Sequence, residues 1–142
     1  MRHHRVLRVV TKLLIPYILL FALYVQFHGD FGPGGGFQAG VIFGAAFILY
    51  TLIFGLDAAR RVAPQPVVSA LVAGGVLLYG LVGMAGILLG GNYLDYNVLA
   101  HEPAHGQHLG ILLVELGVGI TVSATMVTIF FQFAGRSGRT EE

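Results

Sequence analysis

Gln26-Phe27-His28-Gly29-Asp30-Phe31-Gly32-Pro33-Gly34-Gly35-Gly36-Phe37-Gln38-Ala39-Gly40 separates two long apolar runs, and it is the one place where the backbone must be irregular. Five glycines and Pro33 lie between Gly29 and Gly36. Proline has no N–H to donate and glycine loses the most entropy on ordering, so a regular helix does not cross this stretch. A flexible linker would carry Gly and Ser with polar filler. This one carries His28, Asp30, Phe31 and Phe37, side chains with contacts to make. Two readings stay open: a tight turn between helices, or a shaped loop whose backbone passes close to another part of the structure.

On either side the chain is too apolar for a soluble domain. Of 142 residues, 56% are hydrophobic and only 11% are charged, where a soluble domain is nearer a quarter charged. The mean hydropathy is +0.79. Four runs are long enough to cross a bilayer core of roughly 30 Å, which takes about 20 residues at 1.5 Å each. They cover about 6–27, 37–56, 67–89 and 108–133, so the chain is expected to be all-α, a single transmembrane domain over 1–142. The basic start, Met-Arg-His-His-Arg-Val-Leu-Arg, resembles a signal-peptide head, but the apolar run after it is too long, and no small-residue cleavage site ends it. It reads as a retained first span. Net charge of +1 argues against a nucleic-acid partner. With no cysteine there is no disulfide, thiolate metal site or thiol chemistry.

Orientation follows from the basic residues. All eight fall on one side of the predicted spans: Arg2, Arg5, Arg8 and Lys12 before the first, Arg60 and Arg61 after the second, Arg136 and Arg139 after the fourth. The two opposite loops carry Asp30, Asp95 and Glu102 instead. The positive-inside rule then places both termini in the cytoplasm and the glycine loop and the histidine loop together on the outer face. Small residues recur along three helices, as Gly36, Gly40 and Gly44, as Gly83, Gly86 and Gly90, and as Gly106 and Gly110 with Gly119 and Ser123. In lipid such stripes let helix backbones approach closely.

Few residues can carry chemistry. Glu115 is the one charge well inside a span, seven residues after His108 and so roughly 10 Å along the helix. A carboxyl at that depth faces a bundle interior or a water-filled cavity. It serves either as hydrogen-bonded packing between helices or as a station on a proton or cation path, and His108 lies on the same helical face. His28 and Asp30 at the membrane boundary are either interfacial caps or an access point for protons and cations. His101-Glu102-Pro103-Ala104-His105 matches the HExxH zinc pattern. That chemistry needs both histidines on one face of a helix, and Pro103 stands between them. The pattern is read as a polar loop, and no bound metal is expected. GPGGGF lacks the lysine and serine of a phosphate-binding loop.

The run Gly29 to Gly40, followed by Val-Ile-Phe-Gly-Ala-Ala-Phe-Ile-Leu-Tyr, resembles the B subunit of multisubunit Mrp-type sodium/proton antiporters, the MnhB family. Leu109-Gly-Ile-Leu-Leu-Val-Glu-Leu-Gly-Val-Gly-Ile-Thr on the last span is similar to it as well. The resemblance implies a hetero-oligomeric complex in the cytoplasmic membrane of a prokaryote, exchanging internal Na⁺ for external H⁺. It further implies large partner subunits that resemble the antiporter-like subunits of respiratory complex I, and no cofactor beyond the transported ions. Pro33 and Phe37 fall on the family's PGGGF motif and are carried over as functionally important. With Gly34, Gly35, Gly36, Gly40 and Gly44 they would fix the loop and dock the second helix on neighbouring subunits. Glu115, His28, Asp30 and His108 are the ion-path candidates. The alternatives are a similar subunit of a redox-driven pump of the energy-converting hydrogenase type, a purely structural assembly subunit and a self-sufficient channel.

Overall fold

The computed structural model describes residues 4–29, 31 and 34–137. Among them there is no strand, and four helices are long and apolar enough to cross a membrane. Helix α1 is Arg5–Phe27, α2 is Gly36–Phe54, α4 is Gln65–Leu88 and α5 is Pro103–Ser137. A short helix α3, Leu56–Val62, lies between α2 and α4, and a 3-10 turn, Tyr96–Leu99, lies between α4 and α5.

Two boundaries differ from the sequence expectation, each for a local reason. The second span stops at Phe54 because Gly55 takes φ +94°, a conformation that breaks the helix and favours glycine. Leu56 therefore opens α3, so the expected polar turn is itself helical, with Asp57 in its first turn and Arg60 and Arg61 in its last. That order complements the helix dipole. The last span begins at Pro103, five residues before the apolar run. Proline is suited to the first turn of a helix, where its missing N–H has no partner to lose. At 35 residues α5 is about 50 Å long and overreaches the hydrocarbon core.

Helix α5 is central. It packs on α2 along one flank and on α4 along the other, while α1 lies on the far side of α2 and meets α5 at one end. Two glycines on α5 make both crossings possible. A β-carbon on Gly117 would stand 2.9 Å from the Gly75 carbonyl of α4, and one on Gly40 of α2 would stand 2.7 Å from the Gly119 carbonyl. Residues two apart on a helix point to nearly opposite sides, so Gly117 opens one flank of α5 and Gly119 the other. Gly36, Gly40 and Gly44 all face α5, as the four-residue stripe predicts.

The stripe on α4 has a different use. Gly83 seats the ring of Tyr93, and a β-carbon on Gly86 would come within 2.8 Å of the Asn92 carbonyl. Gly110 on α5 seats the ring of Tyr96, and Gly106 meets the Tyr96 carbonyl. These four glycines dock the connection between α4 and α5 onto the ends of both helices. They do not bring helix against helix. A stripe in sequence records close approach and is silent on what approaches.

The opposite end of the bundle holds the apolar cluster of Ala59, Val68, Ala124, Val127 and Phe131. Arg8 and Lys12 of α1 sit over the ring of Phe54, at 5.3 and 5.7 Å from its centroid. A β-carbon on Gly135 would lie 3.1 Å from an Arg60 guanidinium nitrogen. The described basic side chains therefore gather at one end of the molecule, and the glycine loop lies at the other.

Candidate functional site

The glycine loop and Glu115, 79 or more residues apart in sequence, form one site. Helix α1 ends at Phe27, with the His28 amide donating to the Tyr24 carbonyl at 3.0 Å. Gly29 then brings bare backbone against the Glu115 carboxylate, where a β-carbon would stand 2.7 Å from Oε2. On the return, a β-carbon on Gly35 would be 3.0 Å from Oε1, and one on Gly36 would run into the Glu115 backbone carbonyl. Gly34 turns the chain back past Val25 of α1 with φ +146°, a conformation that side chains oppose. Gly29, Gly35 and Gly36 are glycine because a carboxylate and the backbone that carries it fill the space where their side chains would be. It is thus the shaped loop of the two readings.

Charge is placed to match. The carboxylate lies where α2 begins, and the α2 N-cap, Gly35, supplies no side-chain cap. The first N–H groups of a helix lack partners within it, and they carry the positive end of the helix dipole. An acidic oxygen is the group such an end accommodates. Glu115 is half-buried between α1, α2 and its own helix.

Around this centre the other sequence candidates divide. His28 stacks on Tyr24, with ring centroids 5.0 Å apart and 16° between planes. Phe31 lies 6.1 Å from His28 and 6.3 Å from His108, so an aromatic row joins the two histidines across the mouth of the loop. Both histidines are exposed. Phe37 is not drawn into the site, and 63% of it is exposed on the outer face of α2. Asp30 and Pro33 lie outside the described residues. The HExxH run is split by the start of α5: His101 and Glu102 precede the helix, while His105 is inside it. His105 Nδ1 and the Glu102 carboxylate are 3.3 Å apart on the surface. Among the described residues no three His, Asp or Glu side chains converge as metal ligands.

One residue escaped the sequence reading. Gln26, on the last turn of α1, is 5% exposed, and its Nε2 has no hydrogen-bond partner among the described residues. Leaving such a group unpaired costs on the order of 1–3 kcal/mol. Its Oε1 lies against Gly119, one helical turn beyond Glu115 on α5. Thr51, Thr121, Ser123 and Thr128 each donate to a carbonyl of their own helix at 2.8 to 3.1 Å. Gln26 sits in a run of Tyr, Val and Phe at the end of a span, where an interfacial glutamine is unremarkable, so no local signal distinguishes it.

Comparison with known proteins adds an independent line. The sequence profile of a family described as "Domain related to MnhB subunit of Na+/H+ antiporter" matches residues 6–128. A protein of Staphylococcus haemolyticus named "Putative antiporter subunit mnhB2" is 35% identical over 133 residues, covering 92% of this chain and 94% of its own. A protein of the same name from Staphylococcus aureus strain Newman has the same identity and coverage.

Proposed function

Because the chain belongs to the MnhB family of Na⁺/H⁺ antiporter subunits, we propose that it serves as a multi-pass membrane subunit of a multisubunit antiporter and that its Glu115 site lies on the ion route. The observation that carries the second part is the convergence of the glycine loop, the start of α2 and the Glu115 carboxylate. A carboxylate set against loop backbone offers oxygen ligands, which hard cations such as Na⁺ prefer. One carboxylate neutralises one Na⁺ or one H⁺ in turn, and that competition is the simplest chemical basis for exchange. His28 and His108, joined by Phe31, stand at the mouth as exposed imidazoles able to hydrogen-bond what enters.

The wider setting belongs to the same proposal. The basic end of the bundle faces the cytoplasm of a prokaryotic cell, and both termini lie on that side. The glycine loop faces outward. The complex includes large complex-I-like antiporter subunits, and the chain is a transport component with no cofactor of its own and no catalytic residue. A redox-driven pump with the same module is the alternative host.

A second reading has its own support. Glu115 sits at the start of α2, whose N-cap Gly35 has no side chain, inside tight glycine packing, and a carboxylate there holds the fold together whether or not ions pass. Glu115→Gln separates the two, since it keeps size and hydrogen-bonding oxygen while removing the charge. In everted membrane vesicles carrying the full complex, the ion-route reading expects Na⁺-driven collapse of the pH gradient to fall at least tenfold with normal complex yield. Unchanged exchange with normal yield would leave only the structural role.

A further inference from the structure

We propose that the cavity at the junction of α1, α2 and α5 holds water anchored by the Gln26 amide, beginning one helical turn from Glu115 and extending the polar site toward the basic end. The cavity measures about 200 Å³ and is lined by Ala22, Gln26, Gly40, Phe43, Gly119 and Ser123. One water needs only about 10–15 Å³ of such space together with two to four polar partners. Gln26 Nε2 is a buried donor with no partner among the described residues. Ser123 donates its proton to the Ile120 carbonyl at 3.1 Å, which leaves its oxygen able to accept from a water. Gly119 carries no side chain, which lets the Gln26 amide lie against α5 at the edge of this space.

Position gives this water its use. Gly119 follows Glu115 by four residues, about 6 Å along α5. Beyond the carboxylate the route would otherwise meet apolar helix surface, and a proton or a cation leaving Glu115 needs hydrogen-bonding partners to continue. Water held by Gln26 supplies them. Gln26 is then a positioning residue, acting through the water it holds. Its role in exchange rests on the reading of Glu115 given above, whereas the presence of water does not.

The absence of cysteine in this chain gives a direct test. Thiols react with 2-aminoethyl methanethiosulfonate as thiolates, which form only where water reaches, giving a mixed disulfide and methanesulfinate. In the assembled complex in membranes, Ser123→Cys is expected to react at least tenfold faster than Leu77→Cys, a control on the exposed apolar surface of α4. Adding Gln26→Leu to Ser123→Cys should lower that rate at least tenfold. Gln26→Met, of equal length without the amide, replaces it if the leucine variant does not assemble. Equal rates for Ser123→Cys and Leu77→Cys would show the cavity dry and overturn the proposal. A fast rate indifferent to both Gln26 variants would overturn the role of the amide. If neither Gln26 variant assembles, the comparison of the two cysteines alone decides whether water is there. Labelling reads water and not ion exchange, so a wet cavity in a complex that works with Glu115→Gln would sink the ion route and keep the water site. A dry cavity in a Glu115-dependent complex would do the reverse.

Discussion

At the scale of single residues, the chain separates glycines that bear on the site from glycines that do not. Gly36 meets the Glu115 backbone carbonyl, and neither partner is a flexible side-chain end that can move aside. Gly74, in the middle of α4, has nothing within 4 Å of where a β-carbon would be. Gly36→Ala should therefore destabilise the subunit by about 1–3 kcal/mol or more through overpacking. Gly74→Ala should be neutral or stabilising by up to ~1 kcal/mol through helix propensity. Thermal unfolding of the purified complex, followed by size-exclusion, checks the pair, and equal melting of the two variants would contradict the packing described. The sequence marked both the glycine loop and Glu115 as unusual, and each for a sound reason: helix breakers in one case, a charge in lipid in the other. It could not pair them. Contact between Gly29 and Glu115 depends on how α1, α2 and α5 cross, and no local pattern encodes a crossing.

At the scale of elements, the connection between α4 and α5 is docked by two tyrosine rings on glycine seats. Tyr96 lies on Gly110, and the Asn97 amide donates to the Asp95 carboxylate at 3.2 Å to start the 3-10 turn. Burial, and then the nearby Tyr79, push the Tyr96 hydroxyl above its usual value of 10.0. Its neutral form is thus favoured in the docked loop. An undocked loop releases the proton first, so docking is fully stable below the ordinary tyrosine range and weakens as pH rises through and beyond it. Ultraviolet titration should show a tyrosinate component that appears later than the rest and vanishes in Tyr96→Phe. A titration unchanged by that substitution would count against the docked geometry. The span count was legible because length and apolarity suffice for it, as were the α2 stripe and the alternation of basic ends. The early start of α5 and the helical α3 were not, because Pro103 and Gly55 act through conformation within segments whose polarity reads as loop.

At the scale of the whole molecule, the four spans leave most of their apolar surface outside. Only 11% of the most apolar 18-residue stretch of α1 is buried, against 33% for α2. Leu13, Leu20, Phe27 and Phe37 are all more than half exposed. Lipid accounts for such a surface, but a subunit that meets larger partners needs part of it for them. Phe37, at the outer face of α2 beside the glycine loop, is the side chain whose removal should weaken that contact. Phe37→Ala is expected to reduce recovery of partner subunits in a mild-detergent pull-down several-fold, at roughly unchanged level of this subunit in the membrane. Full recovery of partners would remove Phe37 from the interface. Membership of the MnhB family was legible from two short runs, since both carry unusual residue types in fixed order. The partner surface was not, because an apolar side chain facing lipid and one facing protein look alike in sequence.

The enclosure of Glu115 also has a consequence for how the chain is made. The loop after α1 leaves the ribosome early, but the carboxylate set against it belongs to α5, which is synthesised later. Until α5 enters the membrane, Gly29, Gly35 and Gly36 face a space with nothing in it. The first hairpin is therefore an unfinished mould, and the order of translation makes α5 the piece that sets it. Quality control that inspects this end of the bundle would be reading, in effect, whether α5 has arrived.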